Sequence, residues 1–303
     1  MKNKLAVSLA ANIIYVLISL GLNFMIVPYI VARLGSVAYG YNSISDNFVT
    51  YATVITMALN YMGCRFIAYA YHKDNREEAN TYFSSLFYGD ALLGAVLAIV
   101  SIGIVLNIDR LLTIQIDLVC DVKITFAITF LTFVLQIIMT AFTAGTYVKE
   151  RMDLYAVRNI VYTFIRAAAI FTLYAFCTPR IYYISLAAFA GNIFAISFDY
   201  FSTRALIPEL HIQKKYFNRL YIKKLITSGG WYSFVSLGTV LSNGFDLVIA
   251  NQLVDSYSMG ILAVSKTIVA AMNTVRTSIV NVFAPRLVRL YALKDTDEFI
   301  EKV

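Results

Sequence analysis

The chain has 303 residues, 59% of them apolar and only 14% charged, and its mean hydropathy is +0.70. So little polar surface cannot close a particle in water, so soluble globular, disordered and fibrous classes are excluded and the chain belongs in a bilayer. The formal charge of +7 needs no nucleic-acid partner, because the positions of the charges are set by membrane topology.

Eight apolar stretches reach the ~20 residues that a helix rising ~1.5 Å per residue needs to cross the hydrocarbon. They are Leu5–Ala32, Tyr41–Met62, Tyr82–Leu106, Ile124–Ala144, Ala156–Phe176, Ile181–Phe201, Trp231–Asn251 and Ser258–Phe283. All eight are expected to be transmembrane helices, since they are too long and too evenly apolar for barrel strands.

Lys2 and Lys4 resemble the start of a secretory signal, but no small-residue cleavage pattern follows, so the first helix is expected to stay. It carries Asn12, Tyr15, Ser19 and Asn23 at steps of three and four, with Pro28 expected to bend its far end. The second repeats the pattern with Asp46, Thr50, Thr53, Met57 and Asn60. The third and fourth are smoothly apolar and expected to face lipid, and the Asn107–Lys123 loop between them is short and acidic. Lys149–Tyr155 reads as a solvated turn. Arg166 in the fifth helix either reaches a polar cleft or is neutralised by Asp90 or Asp199.

Residues 205–229 place Lys215, Arg219 and Lys223 at four-residue steps, with Phe217, Leu220, Tyr221 and Leu225 largely off that edge. This is either a basic amphipathic helix on an anionic leaflet or an ordinary connector. The seventh helix aligns Tyr232, Ser236, Thr239, Asn243 and Asp246, and the eighth Lys266, Asn273 and Arg276. A charged side chain at that depth costs ~2.5–3.5 kcal/mol on insertion scales unless it meets a partner or water. Helix packing through hydroxyls and amides explains the Ser, Thr and Asn positions, but explains Asp46, Asp246, Lys266 and Arg276 poorly. A shared wet cavity is the expectation.

The chain also repeats itself. Arg65 with Lys73-Asp74 returns as Arg286 with Lys294-Asp295, Gly40 as Gly260, and Ser19-Leu20-Gly21 as Ser236-Leu237-Gly238. Offsets near 220 imply a duplicated unit whose second copy is cut short. Equivalent positions then hold Asp46 and Lys266, which could pair across the cleft in one state.

Orientation follows from the basic residues. Of 25 Lys and Arg, 18 fall on the N-terminal side; only Arg33, Arg110, Lys123 and Arg180 lie opposite, and Arg166, Lys266 and Arg276 sit within helices. Both ends are therefore expected in the cytoplasm. Tyrosines near helix ends, among them Tyr41 and Tyr82, fit an interfacial aromatic belt. Cys120 and Cys177 could approach at the outer face, although free thiols are favoured, and no cysteine has metal-ligand spacing. No phosphate-cradling GxxxxGK[ST], HExxH or Ser/His/Asp set occurs. An ATP-driven pump is thus not expected within this chain, nor is a cofactor or metal.

Leu34-Gly35 with Tyr39-Gly40, Arg65-Phe66-Ile67-Ala68, Lys149 to Tyr155, Pro208-Glu209-Leu210 with its basic sequel, and Pro285-Arg286 with Leu290-Tyr291-Ala292 resemble features of bacterial Wzx-type polysaccharide flippases. These belong to the multidrug/oligosaccharidyl-lipid/polysaccharide exporter superfamily. The resemblance implies an all-α integral membrane transporter with two six-helix lobes in an inverted V. It further implies one complete lobe at 1–204, a connector at 205–229 and an incomplete second lobe at 230–303. Implied too are a bacterial cytoplasmic-membrane location and flipping of a polyprenyl-diphosphate-linked oligosaccharide by alternating access for O-antigen, capsule or exopolysaccharide. Membrane lipids and polysaccharide-assembly proteins would be its partners. By the same resemblance Arg166, Lys266 and Arg276 would contact the diphosphate, beside Asn12, Asn23 and Asn273. Asp46 and Asp246 would couple an ion or balance those cations. A cation-coupled multidrug exporter, a membrane enzyme acting on the same glycolipids, or an inactive fragment lobe are the alternatives.

Overall fold

The computed structural model describes residues 2–293. Lys294, Asp295 and Lys302 lie outside the described residues, as do the side chains of Lys2, Lys4, Met57, Tyr232, Thr239, Asn243, Arg286, Leu290 and Ala292. Ten α-helices follow one another: α1 Lys2–Leu34, α2 Ser36–His72, α3 Arg76–Leu106, α4 Ile108–Leu111, α5 Val119–Met139, α6 Ala144–Val148, α7 Met152–Phe176, α8 Tyr182–Leu206, α9 Arg219–Leu253 and α10 Ser256–Leu293. The eight long ones alternate in direction. The side of the N-terminus, holding the α2–α3, α6–α7 and α8–α9 turns, is called the near side, and the other the far side.

Five spans are long and apolar enough by themselves to cross a membrane: Val7–Leu34, Arg76–Leu106, Ile116–Val148, Met152–Phe176 and Tyr182–Leu206. The protein is a multi-pass membrane protein. The other three long helices, α2, α9 and α10, have 37, 35 and 38 residues, more than a span requires. Their apolar content is diluted by the polar stripes read from the sequence.

Local chemistry sets the turns. Gly35, with φ 83°, breaks α1 from α2 in a conformation that suits a residue without a Cβ. Asn75 caps α3 reciprocally with Glu78: its side chain accepts from the Glu78 N–H at 3.1 Å and donates to the Glu78 carboxylate at 3.1 Å. Asn218 caps α9 by accepting from the Leu220 N–H at 2.9 Å.

α2 is the central post, packed against α3, α5, α9 and α10. Here the sequence repeat acquires a spatial meaning. A Cβ on Gly40 would meet Met259 and come within 3.1 Å of the Gly260 Cα, and a Cβ on Gly260 would lie 2.6 Å from the Ser36 carbonyl. The two glycines that the sequence repeat matches to each other thus touch.

Two expectations change, and the connector takes a definite form. Tyr41 and Tyr82 are not belt residues but fully buried; the Tyr41 hydroxyl donates to the Thr113 carbonyl at 2.9 Å, and Tyr82 stacks on Phe66 with centroids 5.1 Å apart. No separate amphipathic helix fills the connector. Residues 207–218 run against α3, where Asn80, Ser84 and Ser85 bond the backbone of His211, Gln213 and Asn218, and the rest is the start of α9. α3 is only half lipid-facing: Leu92, Ile99 and Leu106 are exposed, while its opposite face, with Phe83 and Leu86, is core.

Candidate functional site

A cavity of about 380 Å³ opens between α1, α2, α7 and α10. α1 lends Ser19 and Asn23, one turn apart on the predicted polar stripe, and Asn23 donates back to the Ser19 carbonyl at 2.8 Å. α2 lends Asn42 and Asp46, again one turn apart, with the Asn42 amide donating to the Asp46 carboxylate at 3.2 Å. α7 contributes Arg166 and α10 contributes Lys266 and Asn273.

In this structure the hydrogen-bonded ion pair at Lys266 is local to its own hairpin. Lys266 Nζ donates to both carboxylate oxygens of Asp246, at 2.6 and 2.7 Å, so the α9–α10 hairpin neutralises its own lysine. Asp46, held by Asn42, lines the same cavity as Arg166. The physical reason is register: across the hairpin, Asp246 and Lys266 fall at the same depth.

The two alternatives for Arg166 also separate. Asp199 is taken by Arg158, its hydrogen-bonded ion-pair partner. Asp90 is fully buried and faces the Asn60 amide at 2.9 Å, in the orientation that satisfies both groups. Asn60 therefore turns to α3 rather than to the cavity. Arg166 lines the cavity, and its Nε is buried without a hydrogen-bond partner among the described residues.

Two candidates stand apart. Asn12 is buried and spends its amide on the Ser8 and Met152 carbonyls at 2.8 and 3.3 Å, which ties α1 to α7. Arg276 is exposed on α10 outside the cavity walls. Helical period places a residue on a face, but which neighbour that face meets is decided by packing. Cys120 and Cys177 are free and exposed.

Behind Asn42, Asp46 and Arg166 lies a smaller chamber of about 170 Å³, reaching Gln136 of α5 and Asn192 of α8. Sequence reading missed this chamber. The signal was there to read: Thr129, Thr132 and Gln136 of α5 recur at three- and four-residue steps, and Ser185 and Asn192 of α8 stand seven apart.

The whole arrangement sets fixed cations, a carboxylate and several amides around an open polar space inside a bilayer. It suits binding of a polar, charged group that must be kept from hydrocarbon.

The chain is 28% identical over 294 residues to the uncharacterized membrane protein EpsK of Bacillus subtilis (strain 168), which covers 97% of this chain and 58% of that protein. It spans, then, less than two thirds of that relative's length. Two solved structures share its fold at 14% identity. One, named protein A, superposes with a TM-score of 0.68, covering 97% of this chain and 66% of its own. The other is an inward-facing multidrug resistance MATE-family transporter of the MOP superfamily, with a TM-score of 0.64, covering 99% and 68%. These likenesses show a shared all-α fold. Residues 6–291 match the model of the polysaccharide biosynthesis proteins, and the chain belongs to that family.

Proposed function

We propose that this chain moves a polyprenyl-diphosphate-linked oligosaccharide across the bacterial cytoplasmic membrane, with its near side in the cytoplasm. The observation that carries the reading is that Arg166 and Lys266 line one polar cavity among the spanning helices. A diphosphate needs cations and donors, and its sugar needs amides and hydroxyls, while the prenyl tail stays in lipid. Residues 1–204 would form one lobe, and α9 and α10 would open the second. Alternating access then exposes the cavity to each side in turn. Asp46 and Asp246 would set the charge of the empty cavity, and coupling to an ion would act on the same carboxylates.

The test is complementation of cells lacking the complete gene, scored by surface polysaccharide. Arg166→Gln, and the double change Lys266→Gln with Asp246→Asn, remove charge while keeping hydrogen-bonding shape. Losing a charge-assisted bond worth ~1.5–3 kcal/mol should lower export about ten- to a hundredfold. Arg276→Gln should leave export near wild type. Normal export by both cavity variants at normal membrane levels would sink the assignment.

A further inference from the structure

We propose that the inner chamber is a subsite for one neutral pyranose, the sugar end of the cargo; this rests on the reading above. Its shell differs in kind from the main cavity. Asp46 and Arg166 stand at the shared wall, and beyond them the lining is uncharged: Thr129, Thr132, Gln136, Tyr162, Ser185 and Asn192.

These groups form a connected set. Thr129 Oγ1 and Ser185 Oγ are 3.0 Å apart, Ser185 donates to Asn42 Oδ1 at 3.3 Å, and Asn42 donates to Asp46 at 3.2 Å. On the other side Gln136 donates to Asn192, whose own amide is anchored on the Ala188 carbonyl at 2.9 Å. Each member is therefore oriented before any ligand arrives, yet hydroxyls and amides retain further donor and acceptor capacity. Gln136 is exposed to the open space rather than covered, which packing of α5 on α8 alone would not require.

The chemistry selects the ligand class. A cation would want several converging carboxylates or carbonyls, and the chamber has a single carboxylate with a guanidinium beside it. An anion would find its only cation at the wall. A neutral sugar ring is donor and acceptor at every hydroxyl, which is what mixed amides and hydroxyls recognise. Its C–H face can lie on an aromatic ring, and Phe133 and Tyr162 line the same space. At ~30 Å³ per molecule of liquid water, about 170 Å³ corresponds to roughly six waters, the scale of one sugar ring.

The experiment is saturation-transfer NMR on the purified protein in nanodiscs, with free neutral hexoses and N-acetylhexosamines as one set of probes and inorganic pyrophosphate as the other. At least one neutral sugar should bind. Gln136→Met and Tyr162→Phe, each a near-isosteric loss of hydrogen bonding, should weaken it about tenfold and leave pyrophosphate binding unchanged. The Lys266→Gln, Asp246→Asn double variant should do the reverse. No binding by any neutral sugar, or equal sugar binding in wild type and both chamber variants, overturns the proposal and marks the chamber as a pool of water. Loss of the pyrophosphate arm alone would count against the main cavity and leave the sugar subsite standing.

Discussion

The two ends of the seam between α2 and α10 are built differently. At the far end the helices meet backbone to backbone at Gly40 and Gly260, and the α9–α10 turn is bonded to the loop after α4. The Asn251 Oδ1 accepts from the Thr113 N–H at 3.1 Å, and the Gln252 amide donates to the Leu111 carbonyl at 2.6 Å. At the near end the bridges among the described residues are made by side chains: the Tyr69 and Tyr291 rings lie 6.3 Å apart across the seam, beside an apolar hollow of about 480 Å³, and Arg289 of α10 is tied to Glu150 of the neighbouring α6–α7 turn at 2.9 Å. Close-packed backbones have no slack, whereas long side chains across a hollow can swing apart. The near end is therefore where the seam should part, with the glycine contact as its pivot.

The largest effect should come from filling that contact. In Gly260→Ala the new Cβ lies 2.6 Å from the backbone carbonyl of Ser36, which cannot yield as a side-chain tip would, and overpacking of this kind costs about 1–3 kcal/mol. Gly40→Ala should cost less, because the atom met first is the flexible methyl of Met259. Gly21→Ala, where a Cβ meets nothing within 4 Å, should be neutral or gain up to ~1 kcal/mol from helix propensity. Thermal unfolding in one detergent ranks the three. Equal losses at positions 260 and 21 would remove the close-packed end from the comparison.

That pivot was partly legible. The repeat made Gly40 and Gly260 equivalent, but only packing shows that they touch. The positions of the long helices were legible because crossing hydrocarbon demands length and apolar content. Asn23, Asp46, Lys266 and Asn273 could be placed on polar stripes for the same reason. The sequence could not say that Asn12 faces α7, that Asn60 faces Asp90, or that Gln136 and Asn192 share a chamber. Each of these residues lies at helical spacing from other polar residues of its own helix, but its partner lies on another helix whose rotation no pattern encodes. The Asp246–Lys266 pair could have been found by counting outward from the α9–α10 turn. Equivalence under the repeat pointed instead to Asp46.

The next effect down tests the hydrogen-bonded part of the far end. Asn251→Leu strands the Thr113 N–H, and a buried polar group left unpaired costs about 1–3 kcal/mol. The loss should appear in unfolding temperature, with the near-side geometry unchanged. If hydrogen exchange at Thr113 stays as slow as in the parent, the bond is not what closes that end.

The smallest energy change should produce the most informative motion. Arg289 and Glu150 keep 30% and 24% of their side-chain surface in contact with solvent, so the pair is worth at most ~1 kcal/mol and Glu150→Gln should barely move the unfolding temperature. Yet ~1 kcal/mol shifts a two-state equilibrium about fivefold. If the near end is held by this pair, spin labels on Tyr69 and Tyr291 should report a larger separated population in Glu150→Gln. Labels on Val37 and Met259 should report no change. The reciprocal Arg289→Gln should match it, since either substitution removes the same bond. Broadening at both ends together would mean that α10 moves as one body and that the glycine contact is no pivot. No broadening at either end would mean that the tilted Tyr69–Tyr291 ring contact and the apolar hollow, rather than the ion pair, hold the near side shut.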